Sequence, residues 1–284
     1  MAIDIKTLQQ WIGKTELRSD QITAAPIMAL AATLDREDAA LRTGDPLPPL
    51  WHWLYFLPIT RQSELAEDGH ARRGEFLPPV PLLRRMWAGS RLQFYRPLTV
   101  GSSVARTSAI SAVTCKEGRT GSLVFVTVQH KISDAQGISI DEEQDLVYRE
   151  MLKPGDSAVP SKAAPERPHW QRDVRPDPVF LFRYSALTFN GHRIHYDRRY
   201  ATELEGYPGI VVHGPLLATL LLDLLCRNMP HADVSRFSFR AVRPLFDTAP
   251  FSVCGRIAED EKHVELWAQS AERWLAMEAT ATLR

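Results

Sequence analysis

Between Tyr184 and Leu217 the chain concentrates residues that can do chemistry: Asn190, His192, His195 and a His213-Gly214-Pro215 segment. An unperturbed imidazole titrates near pH 6.5, so His195 can take and return a proton close to neutrality. Asn190 can hold a water or orient a substrate by hydrogen bonding, but an amide cannot take a proton. A helix opening at Gly214 leaves N–H groups unpaired in its first turn. Together with the helix dipole they form a site for a developing oxyanion. Each residue also has a plainer reading. A histidine in a loop is more often a packing or surface residue than a catalyst. His213-Gly214-Pro215 can be helix-start punctuation alone, and Trp51, Trp53, Tyr55 and Phe56 read as packing. His192 and His195 stand three apart, yet no Cys, Asp or Glu completes a zinc spacing, so no metal is expected. The local chemistry by itself leaves these alternatives open.

The surrounding pattern says what must position these residues. Asn190, His192 and His195 fall in a loop-like segment ahead of a helical patch, Asp197–Leu204. Tyr207-Pro208-Gly209 then turns, and Ile210-Val211-Val212 is apolar. Pro215–Met229 is apolar almost all the way round, which predicts a buried helix. Pro at its first turn fits, because the N–H it lacks would be unpaired there anyway. Val104–Thr114, Ser122–Ser133 and Ile138–Tyr148 read as long strands, with a turn at Lys116–Gly121, and hence as an antiparallel sheet.

The chain also repeats itself. Arg96-Pro97-Leu98 recurs as Arg243-Pro244-Leu245, each between strand-like runs, which predicts two related halves. Pro26–Arg36 is matched to Pro215–Met229 as the helix of the first half. The longer spacing in that half then implies an inserted loop near 44–87, rich in Pro and Trp, that wraps the surface or closes a pocket. Six prolines between Lys153 and Pro178 predict a linker. The expected domains are therefore 1–152, a linker 153–178, and 179–284 carrying the motif. The fold class is α+β, a sheet wrapped around a central helix, twice.

Composition bounds the partners. The 284 residues carry 34 Lys+Arg against 34 Asp+Glu, and 44% are apolar, as in an ordinary globular protein. A cancelled charge argues against a nucleic-acid or anionic-membrane surface. Three widely spaced cysteines form no disulfide framework, and no signal-like segment or membrane span is seen, so a cytoplasmic location is expected.

Asn190-Gly-His-Arg-Ile-His195 resembles the hydratase motif of MaoC-like enoyl-CoA hydratases, Asp-x-Asn-Pro-apolar-His. Asn190 stands at the Asp place, His192 at the Asn place and His195 at the His place, and Gly214 matches the oxyanion-hole glycine. FNGHRIHYD, EGYPGIVVHGPL, KEGRTGSLVFV, EEQDLVYRE and FSFRAVRPLFD resemble a subgroup that includes 3-hydroxyacyl-thioester dehydratases and mesaconyl-C4-CoA and itaconyl-CoA hydratases. The resemblance implies a double hot-dog fold, an acyl-CoA substrate whose CoA arrives with it, no separate cofactor, and a homodimer. It implies that His195 is the base, Asn190 holds the water and Gly214 polarises the thioester carbonyl. Substrate contacts are expected from His192, Arg193, His213 and Tyr196. Arg183, Arg193 and Arg240 are the candidates for gripping a substrate carboxylate. Competing readings are a fatty-acid-type dehydratase, a thioesterase using Asp223 on the buried helix, and a non-catalytic acyl-CoA-binding protein. The first half lacks a counterpart of Asn190–His195, so one active site per chain is expected, with the first half supplying pocket walls.

Overall fold

In the long strands, apolar residues alternate with polar ones, and alternation places successive side chains on opposite faces. Along Gly121–Asp134, for example, Val124, Val126, Val128, His130 and Ile132 are buried while their neighbours are not. The computed structural model describes residues 3–37, 42–118, 121–150 and 161–284. The first half contributes β1 (Thr15–Gln21), β2 (Arg84–Phe94), β3 (Ser103–Gly118), β4 (Gly121–Asp134) and β5 (Gly137–Arg149). The second contributes β6 (Trp170–Val174), β7 (Val234–Ala241), β8 (Phe251–Ile257), β9 (His263–Ser270) and β10 (Leu275–Leu283).

All ten strands form one antiparallel sheet in the order β1-β3-β4-β5-β2-β7-β10-β9-β8-β6. Read inward from either end, the order is the same: first, third, fourth, fifth, second strand of that half. The seam is the pairing of β2 with β7, from Gly89 opposite Arg240 to Gln93 opposite Arg236. Gly89 is required there, since a Cβ would collide with the Phe239 carbonyl. This is the double hot-dog architecture that the resemblance implies, with the sheets of the two halves joined into one instead of standing as two.

The helices show a different correspondence from the expected one. Helix α1 (Ile5–Gln9) precedes β1. Helix α2 (Ala24–Thr33) follows β1, and α3 (Pro178–Leu187) follows β6 in the same place. The buried helix α4 (Gly214–Asn228) packs under β6, β8, β9 and β10, with every residue from Leu216 to Leu225 buried. The partner of α2 is thus α3 and not α4. From the start of α2 to the start of β2 the chain runs 60 residues, and from α3 to β7 it runs 56. Residues 44–87 are therefore no insertion. They occupy the place of α4, with short 3-10 turns at Trp51–Leu54 and Gln62–Glu64 in place of a helix. Seven prolines between 46 and 81 explain this, because proline removes a helical hydrogen bond and clashes with the preceding turn. Leu50, Trp51, Leu54, Tyr55 and Phe56 fill the core volume instead.

The expected linker also differs. Its residues 153–160 lie outside those described. Beyond them, Ala163 bridges to Trp274 and Trp170–Val174 forms β6. A proline-flanked strand is tolerated there because β6 is the edge of the sheet.

Two buried carboxylates fasten the assembly. Asp223 on α4 accepts from Arg36 (2.7 Å), Arg172 (2.9 Å) and Arg227 (2.7 Å). Arg172 and Arg227 also donate to the Leu34 carbonyl, which ties the end of α2 to β6 and α4. Glu142 on β5 accepts from Trp53 (3.1 Å) and Ser90 (3.1 Å), and pairs with His52 (3.1 Å). It anchors the 50–56 segment to the sheet. Burial pushes the Glu142 carboxyl up, but His52, His130 and Trp53 outweigh it and hold it at about 2, below its ordinary 4.5. A depressed acid contributes stability that is complete above 4.5 and is lost as pH falls toward 2. Glu142→Gln is expected to cost about 3 kcal/mol at pH 7, the size seen when one partner of a buried pair is removed. Urea unfolding checks this. The gap from wild type should narrow as pH falls toward 2, and a gap independent of pH would contradict the assignment.

Candidate active site

The motif segment is shaped by its own backbone bonds. Thr188 closes α3 by donating its hydroxyl to Tyr184 O (2.8 Å). The Asn190 N–H turns back to Ser185 O (2.8 Å), and the Asn190 side-chain oxygen accepts from the His192 N–H (3.0 Å). A 3-10 turn, Arg193–His195, follows, then a π-helical turn, Tyr200–Leu204. The chain returns in an extended stretch where Val211 N–H donates to Ile194 O (2.9 Å), and it enters α4 at Gly214.

His195 is buried, and its Nδ1 lies 2.8 Å from the Val211 carbonyl. A carbonyl only accepts, so Nδ1 carries the proton and Nε2 keeps its lone pair. Burial lowers the imidazole to about 4, against a smaller opposing effect of the Val211 bond, so the neutral base form is present at pH 7. The ring stacks on that of His213, with centroids 3.8 Å apart and planes at 17°. His213 is fully buried, held by Ser185 (2.8 Å), and burial keeps it well below its ordinary value. The next residue opens α4. Pro215 has no N–H and Leu217 N–H bonds to His213 O, so Gly214 and Leu216 carry the unpaired donors of the first turn. A neutral imidazole and a helix N-terminus with unpaired donors therefore adjoin through stacked rings.

His192 is buried and edge-on to His195, at 5.3 Å between centroids. Asn190 is half-buried, with its oxygen committed to the backbone of His192. The other expected contacts are not brought to this point. Arg193 donates to the Asp197 carboxylate (3.0 and 2.8 Å) and to Glu67 O (3.1 Å), and stacks over Tyr200, so it ties the motif turn to the loop carrying Glu67. Arg240 lies on the outer face of β7, its side chain 64% exposed and paired with Glu278 (2.6 Å). Arg183 is exposed on α3 and makes no ion pair among the described residues. Tyr196 is exposed, with its hydroxyl on Gly191 O (3.1 Å).

Three residues that sequence reasoning missed do converge here, all from the first half. His70 lies with its ring centroid 4.1 Å from that of His192. Asp68 holds it, accepting from its backbone N–H (3.0 Å) and from its ring Nδ1 (2.9 Å). Burial raises the Asp68 carboxyl, but the bond and charge of His70 prevail and keep it ionised. Burial lowers His70 to about 4, and the charges of Arg85 and Arg73 add to this against Asp68. Arg85, on β2, makes no ion pair among the described residues and is the cation felt by both His70 and His192. The available signal was the Asp68-Gly69-His70 spacing inside the proline-rich segment. Asp68, His70 and His192 are also the described residues whose ligand atoms come within 4.8 Å of one another, as a metal would need.

A model of the family described as hydroxyacyl-thioester dehydratase type 2 matches residues 50–247. The chain is 48% identical over 273 residues to the mesaconyl-C(4)-CoA hydratase of Chloroflexus aurantiacus, covering 96% of each. Among solved structures, a MaoC-like dehydratase from Phytophthora capsici superposes with a TM-score of 0.70 at 14% identity, covering 99% of this chain and 98% of that one. A Mycobacterium tuberculosis protein with a double hot-dog fold gives 0.58 at 14% identity, covering 96% of each. At these identities the structural likeness is one of fold.

His70, His192, His195 and His213 are all lowered from 6.5, with burial the leading cause. The unfolded chain therefore binds more protons than the folded one as pH falls below 6.5, and stability declines toward pH 4. His213→Gln is expected to make that decline shallower in melting curves taken from pH 7 to about 4. An unchanged slope would show that His213 is not kept neutral by the fold.

Proposed function

The chain belongs to the hydroxyacyl-thioester dehydratase type 2 family, and from that premise we propose that it hydrates mesaconyl-C4-CoA to citramalyl-CoA. It is a hydro-lyase of acyl thioesters. The observation that carries the mechanism is the His195–Val211 bond, which leaves Nε2 unprotonated beside the start of α4.

Hydration of an α,β-unsaturated thioester needs a base for water and a site for the negative charge that gathers on the carbonyl oxygen. His195 Nε2 takes a proton from water as its oxygen bonds to the β-carbon. The Gly214 N–H, with Leu216 behind it, receives the enolate oxygen. Such oriented donors act without reorganisation in a dry site and are usually the largest electrostatic contribution. The Asn190 side-chain amide NH2 remains available to donate to the water, while its oxygen keeps the turn. No metal or organic cofactor is needed for these steps.

The acyl group of mesaconyl-C4-CoA carries a carboxylate on the β-carbon. A cation must meet it, and Arg85 is the arginine beside His70 and His192 without a carboxylate partner among the described residues. Itaconyl-CoA, with the same charge, is the next substrate to try. The second reading is dehydration of a 3-hydroxyacyl thioester, favoured by the family's own description. The thioesterase reading loses its candidate acid, because Asp223 is saturated by three arginines. No helix among the described residues is long and apolar enough to cross a membrane. A cytoplasmic homodimer that binds no nucleic acid is part of the proposal, supported by the balanced charge and the resemblance.

Absorbance assays with mesaconyl-C4-CoA, itaconyl-CoA and crotonyl-CoA test the substrate. Activity confined to crotonyl-CoA and longer monoacids would favour the second reading. His195→Ala should lower kcat by about 10²–10⁴ while near-UV circular dichroism stays native. Near-wild-type turnover would remove His195 from the mechanism. Arg85→Met should lower kcat/KM for mesaconyl-C4-CoA about 10–100-fold, as for a lost charge-assisted bond, and leave crotonyl-CoA nearly unchanged.

A further inference from the structure

We propose that His70, oriented by Asp68, is the second proton-transfer residue of this site, so that the active site is assembled from both halves of the chain. The inference rests on the hydratase reading above. Hydration moves two protons: one leaves the water, and one arrives at the α-carbon. His195 has a single working nitrogen, since its Nδ1 is committed to Val211. The residue at the place of the motif's acid is Asn190, whose amide cannot transfer a proton and whose oxygen is committed to His192. Of the imidazoles around His195, His213 is fully buried with its Nε2 on Ser185, which leaves His192 and, against it, His70 to supply the missing group.

The pair Asp68–His70 has the geometry of an oriented imidazole. Both carboxylate oxygens of Asp68 face His70, one on its backbone N–H and one on Nδ1. Nδ1–H therefore donates to Asp68, and Nε2 is the nitrogen left for the site. The loop is held there by several independent contacts. The Arg193 N–H donates to Asp68 O (2.9 Å), and the Arg193 guanidinium donates to Glu67 O (3.1 Å). Gly69, at φ +87°, lies so close to Gly191 that a Cβ would overlap the Gly191 carbonyl.

The groups facing His70 are Asp68, His192, Arg85 and Arg73. With no substrate, burial and the two arginines keep the ring neutral. A substrate carboxylate on Arg85 offsets one of those charges and favours uptake of a second proton from solvent on His70 Nε2, opposite ionised Asp68. The balanced step follows. Water gives its proton to His195 Nε2 as the C–O bond forms and the π electrons move onto the thioester oxygen. The enolate then collapses, and its α-carbon takes the proton from His70 Nε2–H. The electron pair of that N–H bond stays on Nε2. The proton on His195 returns to His70 through the ring of His192, which restores the starting state. A metal bound by Asp68, His70 and His192 is the competing assignment. It is disfavoured because both oxygens of Asp68 are already engaged by His70, as an orienting carboxylate would be.

The test uses the full-length protein and whichever acyl-CoA the wild type hydrates. His70→Ala is expected to lower kcat about 10²–10³-fold with KM within about 3-fold, a size typical of a lost proton-transfer group. Added imidazole should restore part of the rate, and one limb of the kcat–pH profile should disappear. Asp68→Asn should lower kcat about 10-fold and shift that limb rather than abolish it. Unchanged kcat and pH profile in His70→Ala, while His195→Ala is inactive, would overturn the role of His70 and leave the hydratase reading intact. Loss of wild-type activity on chelation, with recovery on added Zn²⁺, would overturn it in favour of the metal. If the wild type hydrates no acyl-CoA, it is the functional reading itself that fails.

Discussion

Two glycines without side chains meet where the halves of this protein touch, and the site depends on that contact. Gly69 can approach Gly191 only because neither carries a Cβ, and Gly69 also adopts a backbone angle that other residues rarely hold. The contact sets Asp68 and His70 over His192 and lets Arg193 reach the carbonyls of Glu67 and Asp68. Arg193 is best understood through this geometry. It looks like a substrate cation in the sequence, and it is a clamp between two loops. The seam of β2 and β7 brings the halves into register, but these glycines bring their chemistry together.

The electrostatics of the site follow from dryness more than from charge. Three buried imidazoles and the half-buried His70 lie close together, and loss of solvent lowers all four from 6.5. Neutral rings can stack, as His195 and His213 do at 3.8 Å, without the repulsion two imidazolium ions would suffer. The negative charge of Asp68 and the positive charge of Arg85 lie on the first-half side of this cluster. The helix terminus at Gly214 lies on the other. A chain with no net charge therefore still presents a polarised site, built from Asp68, Arg85, Arg73 and a helix dipole.

Some of this was legible in the sequence because it rests on local period. The alternation in Val124–Ile132 and the all-round apolarity of α4 are patterns that packing could not override. The repeated Arg-Pro-Leu marks the ends of β2 and β7, the pair that forms the seam. What escaped notice lacked a period or depended on distant partners. Helix α3 exposes Val179 and Phe182 while burying Leu181 and Tyr184, so its apolar face is blurred. Arg240 falls next to Phe239 on a strand, and alternation sends it to the opposite, solvent-exposed face. Asp68 and His70 have meaning only once Gly69 meets Gly191, a contact between residues remote in the chain. The motif was readable as three residues, while the acid it lacks was supplied from elsewhere.

The same logic accounts for the asymmetry between halves of equal topology. A hot-dog half that keeps its central helix has a helix N-terminus with unpaired donors, and α4 has one at Gly214. In the first half, prolines abolish the helix, and Trp51, Leu54, Tyr55 and Phe56 occupy its volume, with Glu142 gripping His52 and Trp53 from below. That half thereby has no central-helix terminus of this kind among its described residues. It gains a chain segment that is not bound to a helical path and can extend across the seam to the other motif. A helix in residues 44–87 would have drawn this segment beneath its own sheet, as α4 lies beneath the second half's strands. The absence of a helix from this segment is what lets Asp68 and His70 reach His192, while Arg85 arrives independently on β2.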